Sequence, residues 1–103
     1  MIKVSVMYPS GADIRFDIDY YCNRHMPMVK ERLGAALRQM GVDHGIAGGA
    51  PGSPPPYAAV GHLYFDSVDA FQAAFKPHAK EILGDIPNYT NSKPDMQISD
   101  VKL

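Results

Sequence analysis

The sequence has a single cysteine, almost no net charge and no long apolar run. Its 103 residues carry one Cys and a formal charge of −1. One Cys excludes a disulfide framework within the chain and zinc clusters made of thiolates alone. The chain has no excess of positive charge, which argues against nucleic acid or an anionic membrane as the main partner, because both attract basic surfaces. No apolar run approaches the roughly 18 residues that a membrane helix needs.

The length is that of one domain. A chain of 103 residues hides about 60–70% of its unfolded surface, which supports one core without disulfides. The first six residues alternate like a strand and lack the layout of a signal peptide. The sequence therefore predicts a single domain over residues 1–103, located in the cytoplasm.

Four strands are predicted from apolar residues that alternate with period two. They cover residues 2–8, 37–47, 57–65 and 95–103. The Gly- and Pro-rich segment between the second and third strands is predicted to be a loop, since consecutive prolines supply no ladder donors.

Two helices are predicted between these strands, over residues 18–33 and 68–83. Asp17 and Ser67 are suitable N-cap residues for them. A shift of 50 residues aligns the two helices, so the chain is interpreted as two βαβ halves. The predicted class is α+β with a ferredoxin-like βαββαβ order. Its four-stranded antiparallel sheet would carry both helices on one face.

The internal repeat draws attention to His25. This residue lies on the apolar stripe of the first helix, where the aligned residue of the second helix is Phe75. An imidazole on a core stripe needs a hydrogen-bond partner or a ligand to offset its desolvation. Pro27 and Pro77 each predict a kink or a restarted helix. A kink beside His25 would leave room for a cavity.

The segment from Phe16 to Val29, FDIDYYCNRHMPMV, resembles the EthD family, named for bacterial degradation of ethyl tert-butyl ether. Residues 48–57, 61–65 and 85–91 extend the resemblance over nearly the whole chain. The resemblance implies a dimeric α+β barrel, in which two sheets pack face to face and each protomer holds a pocket between its sheet and helices. Superfamily relatives include antibiotic-biosynthesis monooxygenases, muconolactone isomerases and haem-handling proteins, so the fold leaves the chemistry open.

A homodimer is also predicted from the third strand. It carries Leu63 and Phe65 on one face and Val60 and Tyr64 on the other. Two helices cover only one face of a four-stranded sheet, so the other face needs a partner. A twofold dimer is the default, and an open sheet with one wetted face is the alternative.

His25 is the main candidate for a catalytic residue, with Tyr21 one turn before it. An imidazole exchanges a proton near neutral pH, and a phenol can hold its tautomer or the substrate. The resemblance supports His25, Tyr20, Tyr21 and Pro27, which all lie in the matching segment. The alternative is a core histidine that a backbone carbonyl satisfies.

Six further residues are candidates for substrate binding. His62 could line the same pocket or belong to the dimer interface, depending on the face it occupies. The loop after the second helix could rim the pocket or form a cluster of turns. The candidates are Tyr20, Met28, His62, Tyr64, Asn88 and Tyr89.

No metal site and no cofactor are predicted. The four histidines form neither a pair four residues apart on a helix nor an H-x-H on a strand. A haem needs one axial ligand and stays compatible with His25 or His62. Cys22 lies on the apolar stripe of the first helix and is expected to be a buried, inert thiol, with a nucleophile paired to His25 as the alternative.

Three hypotheses follow. The first is a catabolic enzyme of the cofactor-free oxidoreductase or monooxygenase type, or the partner of one, acting on a small apolar or aromatic compound. A muconolactone-isomerase-like enzyme is a variant of it. The second is a module that binds or delivers such a compound without chemistry. The third is a structural dimer with a filled core. A cavity beside His25 would separate the first two from the third.

Overall fold

The computed structural model describes residues 1–103, and its four strands form one antiparallel sheet. The spatial order is β2-β3-β1-β4, so β1 and β3 are the central strands. This is the ferredoxin-like arrangement, and it confirms the predicted fold class and element order. The strands are β1 (Ile2–Pro9), β2 (Gln39–His44), β3 (Tyr57–Phe65) and β4 (Asp95–Asp100).

The first helix, residues 18–33, changes its winding on the way. It is α-helical over Ile18–Tyr20, π-helical over Tyr21–His25 and α-helical again over Met26–Leu33. Pro27 has no backbone N–H to donate. The N–H of Met26 instead bonds to the carbonyl of Tyr21, five residues earlier, which makes this turn wider than an α-turn.

The wide turn decides which side chains face the sheet. Tyr21, His25 and Met26 are all buried. The five-residue turn places Met26 on the same side of the helix as Tyr21. Cys22 is exposed, so the expectation of a buried thiol is wrong. A regular helix of 3.6 residues per turn would have turned Cys22 toward the core instead.

The second helix, residues 68–84, is interrupted at the matching place. Two α-helical parts, Val68–Phe75 and Ala79–Gly84, flank the 3₁₀ turn Lys76–His78, which contains Pro77. The expected interruption at both prolines is therefore confirmed. No helix of the structure combines the length and the apolar character that crossing a membrane requires.

Both predicted N-caps are present. The side chain of Asp17 accepts a hydrogen bond from the N–H of Tyr20 at 3.0 Å. Ser67 accepts one from the N–H of Ala70, also at 3.0 Å. These bonds satisfy donors that a helix otherwise leaves free in its first turn.

Strand register assigns each side chain to one face of the sheet. Val4 pairs with Leu63 and Tyr8 with Ala59, and these residues are buried on the face that the helices cover. Their neighbours in sequence point the other way. Lys3 pairs with Tyr64 and Ser5 with His62, so His62 and Tyr64 lie on the face without helices.

Gly61 allows the first helix to approach β3 closely. A Cβ at this position would collide with the hydroxyl oxygen of Tyr21, whereas the ring carbon Cζ lies 3.5 Å away, at ordinary contact distance. The Tyr21 hydroxyl can therefore occupy this position only because residue 61 is a glycine.

Gly61→Ala is expected to lower the free energy of unfolding by about 1–3 kcal/mol, because the inserted methyl group overpacks the site. Urea unfolding measures the loss. Tyr21→Phe removes the colliding oxygen, so Gly61→Ala should cost much less in that background. Gly41→Ala is the matched control, since its Cβ would lie 3.9 Å from the Cδ2 atom of His62. Equal losses in the wild type and in the Tyr21→Phe variant would contradict the proposed contact.

Candidate functional site

A hydrogen bond between His25 and Asp85 joins the two helices. His25 is the last residue of the π turn and is 4% exposed. Its Nδ1 atom lies 2.9 Å from Oδ2 of Asp85. Asp85 directly follows Gly84, the final residue of the second helix. The widened turn of one helix thus meets the C-terminal end of the other.

Asp85 is held by two further donors. Its Oδ1 atom accepts hydrogen bonds from the Tyr20 hydroxyl at 2.8 Å and from the Asn88 amide at 2.9 Å. Burial raises the pKa of Asp85, but the bonds from Asn88, His25 and Tyr20 outweigh it and hold the pKa below its ordinary value. Asp85 is therefore ionised near neutral pH and acts only as an acceptor.

The charge of Asp85 determines the tautomer of His25. Burial lowers the pKa of His25, and the hydrogen bond and charge of Asp85 offset only part of this effect. The ring is therefore neutral near pH 7. Since a carboxylate accepts, Nδ1 carries the proton and Nε2 keeps its lone pair. The hydroxyl of Tyr89 lies 3.5 Å from Nε2.

Aromatic rings surround the imidazole. The ring of Tyr21 stacks on His25 with centroids 5.4 Å apart, and the ring of Tyr89 lies 4.7 Å away. The hydroxyl oxygens of Tyr8 and Tyr89 are 2.6 Å apart. Burial raises the pKa values of Tyr8, Tyr21 and Tyr89, so these phenols are neutral.

A small cavity lies between the helices and the sheet, against His25. Its volume is about 40 Å³, which is room for a few water molecules. Two of its lining residues reach the protein surface, since Leu83 is 46% and Met96 is 47% exposed. The apolar side chains of its wall include Met26, Val29, Leu63, Phe71, Phe75 and Ile82.

The structure brings together three of the candidate residues: Tyr20 on the first helix, and Asn88 and Tyr89 on the loop after the second helix. Tyr20 and Asn88 contact Asp85, and Tyr89 contacts His25. Beyond Tyr89 the loop has a structural role, because Thr90 donates to the carbonyl of Arg15 at 2.6 Å. Asn88 and Tyr89 contact the His25–Asp85 pair without lining the cavity, and the interpretation of the loop as a cluster of turns applies to Thr90.

Met28 does not line the cavity, whereas Met26 does. The π turn accounts for the difference, because it places the side chain of Met26 below Tyr21 and against the sheet.

His62 and Tyr64 are separated from His25 by the sheet. On the helix-free face, Nε2 of His62 lies 2.7 Å from Oδ2 of Asp43 on β2. His62 therefore contributes to the other face of the sheet and not to the cavity, which lies under the helices.

Asp85 and Tyr8 are the functional candidates that the sequence patterns did not single out. A carboxylate just after a helix opposes the helix dipole, which disfavours negative charge at that end. This unfavourable position was the available signal for Asp85. Tyr8 looked like any inward-facing residue of β1, and its role follows from its contact with Tyr89.

The arrangement is suited to proton transfer. A carboxylate orients a neutral imidazole, and the imidazole lines a largely apolar cavity. Histidine–carboxylate pairs of this kind act as general bases in unrelated enzymes. No three His, Cys, Asp or Glu side chains come together as a group that could hold a metal ion.

Comparison with known proteins places these residues in a family context. Residues 11–93 match the EthD domain. An EthD-like protein from Ralstonia eutropha has a crystal structure with a TM-score of 0.95 and 52% identity, covering 99% of this chain and 92% of that chain. The sequence is also 26% identical to an uncharacterized 11.0 kDa protein from the thcB-thcC intergenic region of Rhodococcus erythropolis, over 97% of this chain and 94% of that protein.

A more distant structure agrees in fold. The ethyl tert-butyl ether (EthD) family protein from Bacillus halodurans has a TM-score of 0.69 at 20% identity, covering 99% of both chains. At this identity the likeness concerns the fold alone.

The burial of His25 makes stability depend on pH. Below its ordinary pKa of 6.5 the unfolded chain binds a proton that the folded chain binds less readily, so the free energy of unfolding falls. Urea unfolding should therefore show a loss of stability from about pH 7 to about pH 5. The loss should be smaller in His25→Phe and unchanged in His44→Gln, which alters an exposed histidine. The same loss in His25→Phe and the wild type would refute this assignment.

Proposed function

Because this chain belongs to the EthD domain family, we propose that it is a catabolic enzyme acting on a small, largely apolar organic compound. His25 is its general base, and the hydrogen bond from His25 to Asp85 is the observation that carries the proposal. The reaction is a cofactor-free oxidation or an isomerisation of the muconolactone-isomerase kind. Both start by removing a proton from the substrate. Oxidation then requires dioxygen, whereas isomerisation returns the proton to another atom.

Each residue around His25 has a defined part in this mechanism. Asp85 keeps the proton on Nδ1 and stabilises the imidazolium that forms when Nε2 takes up the substrate proton. Tyr20 and Asn88 hold the carboxylate in place through its second oxygen. Tyr21 restricts rotation of the ring by stacking on it. The site is thus prepared before the substrate binds, which lowers the cost of reorganisation.

The cavity supports an apolar substrate. Its wall is mostly aliphatic and aromatic, and charged side chains are absent from it. An apolar compound gains free energy by leaving water, whereas an ionic compound would lose its hydration without a partner. The cavity of about 40 Å³ is smaller than the roughly 150 Å³ of a cavity that binds benzene. Substrate binding therefore requires Leu83 and Met96 to move aside and enlarge it.

The mechanism predicts distinct effects for the two partners. His25→Phe should abolish turnover, because no other base lies at Nε2, and Phe75 already occupies the aligned position of the second helix. Asp85→Asn should lower kcat by up to about 10⁴, the loss seen when a catalytic histidine loses its orienting carboxylate. Native mass spectrometry identifies the ligand that the purified protein retains, and kcat/KM for that compound is then compared among variants.

His44→Gln is the control for these measurements, since His44 is exposed at the end of β2 and does not line the cavity. Unchanged turnover in His25→Phe would refute the catalytic role. A ligand that is retained and never converted would instead identify a module for binding or delivery.

We also propose that a second copy of the chain covers the face without helices. His62 lies on that face and is only half-buried, although it is bonded to Asp43. Val60 and Tyr64 lie on the same face and are only half-buried. A twofold partner would cover these side chains and remove their apolar surface from water.

Sedimentation velocity tests the dimer. The wild type should sediment as a dimer, and Tyr64→Asp should shift it to a monomer by burying an unpaired charge in the interface. Ile46→Asp is the matched control in a loop where the side chain is 91% exposed. A monomeric wild type at micromolar concentration would contradict the proposal.

A further inference from the structure

The polar side chains of the cavity belong to one chain of hydrogen-bonding groups. Among the residues that line it, only Tyr8, Tyr21 and His25 have side chains with a hydroxyl group or a ring nitrogen. Tyr89 lies behind them and connects two of the three. Its hydroxyl oxygen is 2.6 Å from that of Tyr8 and 3.5 Å from Nε2 of His25. The cavity is therefore apolar except where it meets this connected group.

The available protons determine which group donates and which accepts in each of these hydrogen bonds. Nδ1 of His25 donates to Asp85, so Nε2 can only accept. The Tyr89 hydroxyl is the group within reach of Nε2, and it has one proton to give. Tyr8 then donates its own proton to Tyr89. The oxygen of Tyr8 also accepts a hydrogen bond from Tyr21. It keeps one lone pair, which can accept a proton from a ligand in the cavity that Tyr8 lines.

We propose that Tyr8 binds the single hydroxyl group of the substrate and relays its proton through Tyr89 to His25. The substrate class is then a small apolar molecule with one ionisable O–H, such as a phenol or an enol. This inference rests on the proposed function, since His25 is the final base in both.

The relay balances. The O–H bond of the substrate breaks, and its proton passes to the Tyr8 oxygen while the Tyr8 proton moves to Tyr89. The Tyr89 proton forms the new N–H bond at Nε2. Both tyrosines end neutral, the substrate becomes an oxyanion that accepts a hydrogen bond from Tyr8, and the imidazolium of His25 faces Asp85. Burial disfavours a free tyrosinate at either position, so the protons move together.

The remaining wall explains why one hydroxyl is enough. Phe71, Phe75 and Ile82 supply no hydrogen-bonding side-chain atoms, so a second polar group on the ligand would be buried without a partner. The hydroxyl of Tyr21 lies over Gly61 and hydrogen-bonds to Tyr8, which offsets part of the rise in the pKa of Tyr8 that burial causes. It therefore supports the Tyr8 oxygen without carrying the relayed proton.

Phenol and toluene are matched probes, because a methyl group replaces the hydroxyl at nearly constant shape. NMR titration of the full-length wild type should give about tenfold tighter binding of phenol than of toluene. An apolar cavity without a hydrogen-bonding partner would prefer toluene. Tyr8→Phe should reduce phenol affinity below that of toluene and leave toluene affinity unchanged. Three results would overturn the proposal: equal binding of both probes to the wild type, no binding of either, or a phenol preference that survives in Tyr8→Phe.

The relay itself has a spectroscopic test. 4-Cyanophenol is more acidic than phenol but still carries its proton in slightly acidic solution, and its binding there should shift the ¹⁵N resonance of His25 Nε2 to the imidazolium position in the wild type. Tyr89→Phe should still bind the probe through Tyr8, but without that shift. A shift of the same size in Tyr89→Phe would exclude Tyr89 as the relay.

These measurements separate the relay from the proposed function. Phenol preference that depends on Tyr8, together with unchanged turnover in His25→Phe, would leave the hydroxyl site standing without the catalytic proposal. Turnover that depends on His25, together with phenol preference that survives in Tyr8→Phe, would leave the catalytic base standing without the relay.

Discussion

The buried hydrogen bond between His25 and Asp85 is the contact on which the site depends. An imidazole placed among aromatic rings needs a partner for its N–H, and a carboxylate at a helix C-terminus needs donors to offset its burial. Each residue meets the requirement of the other, at 2.9 Å. The bond also connects the π turn of the first helix to the end of the second, so the two halves of the repeat are held together at the point where the cavity lies.

Pro27 acts on this contact indirectly. Because it cannot donate a backbone hydrogen bond, the preceding turn widens to a π turn, and Tyr21, His25 and Met26 all reach the sheet side of the helix. The second helix also contains a proline at the matching place, but its turn tightens to 3₁₀ there. The same local interruption therefore produces a cavity wall in one half and a simple restart in the other.

Much of the fold could be predicted because it depends on local patterns. Alternation located the strands, and β3 was predicted with its observed bounds. Capping side chains located the starts of both helices, and the repeat identified His25 as a departure from the apolar pattern. Cys22 was misplaced because a helical wheel assumes a constant turn, and the wheel cannot register a wider turn caused by a proline five residues later.

The sequence by itself determined the fold class, the family and the presence of an imidazole where its repeat has Phe75. The tertiary structure alone decided what that imidazole meets. Asp85 lies 60 residues from His25 in sequence, and Tyr8, on β1, is connected to the site through Tyr89. Which face of the sheet holds His62 was likewise decided by strand register. Periodicity reports which side chains share a face, whereas contacts between distant segments arise only when the chain closes around a common core.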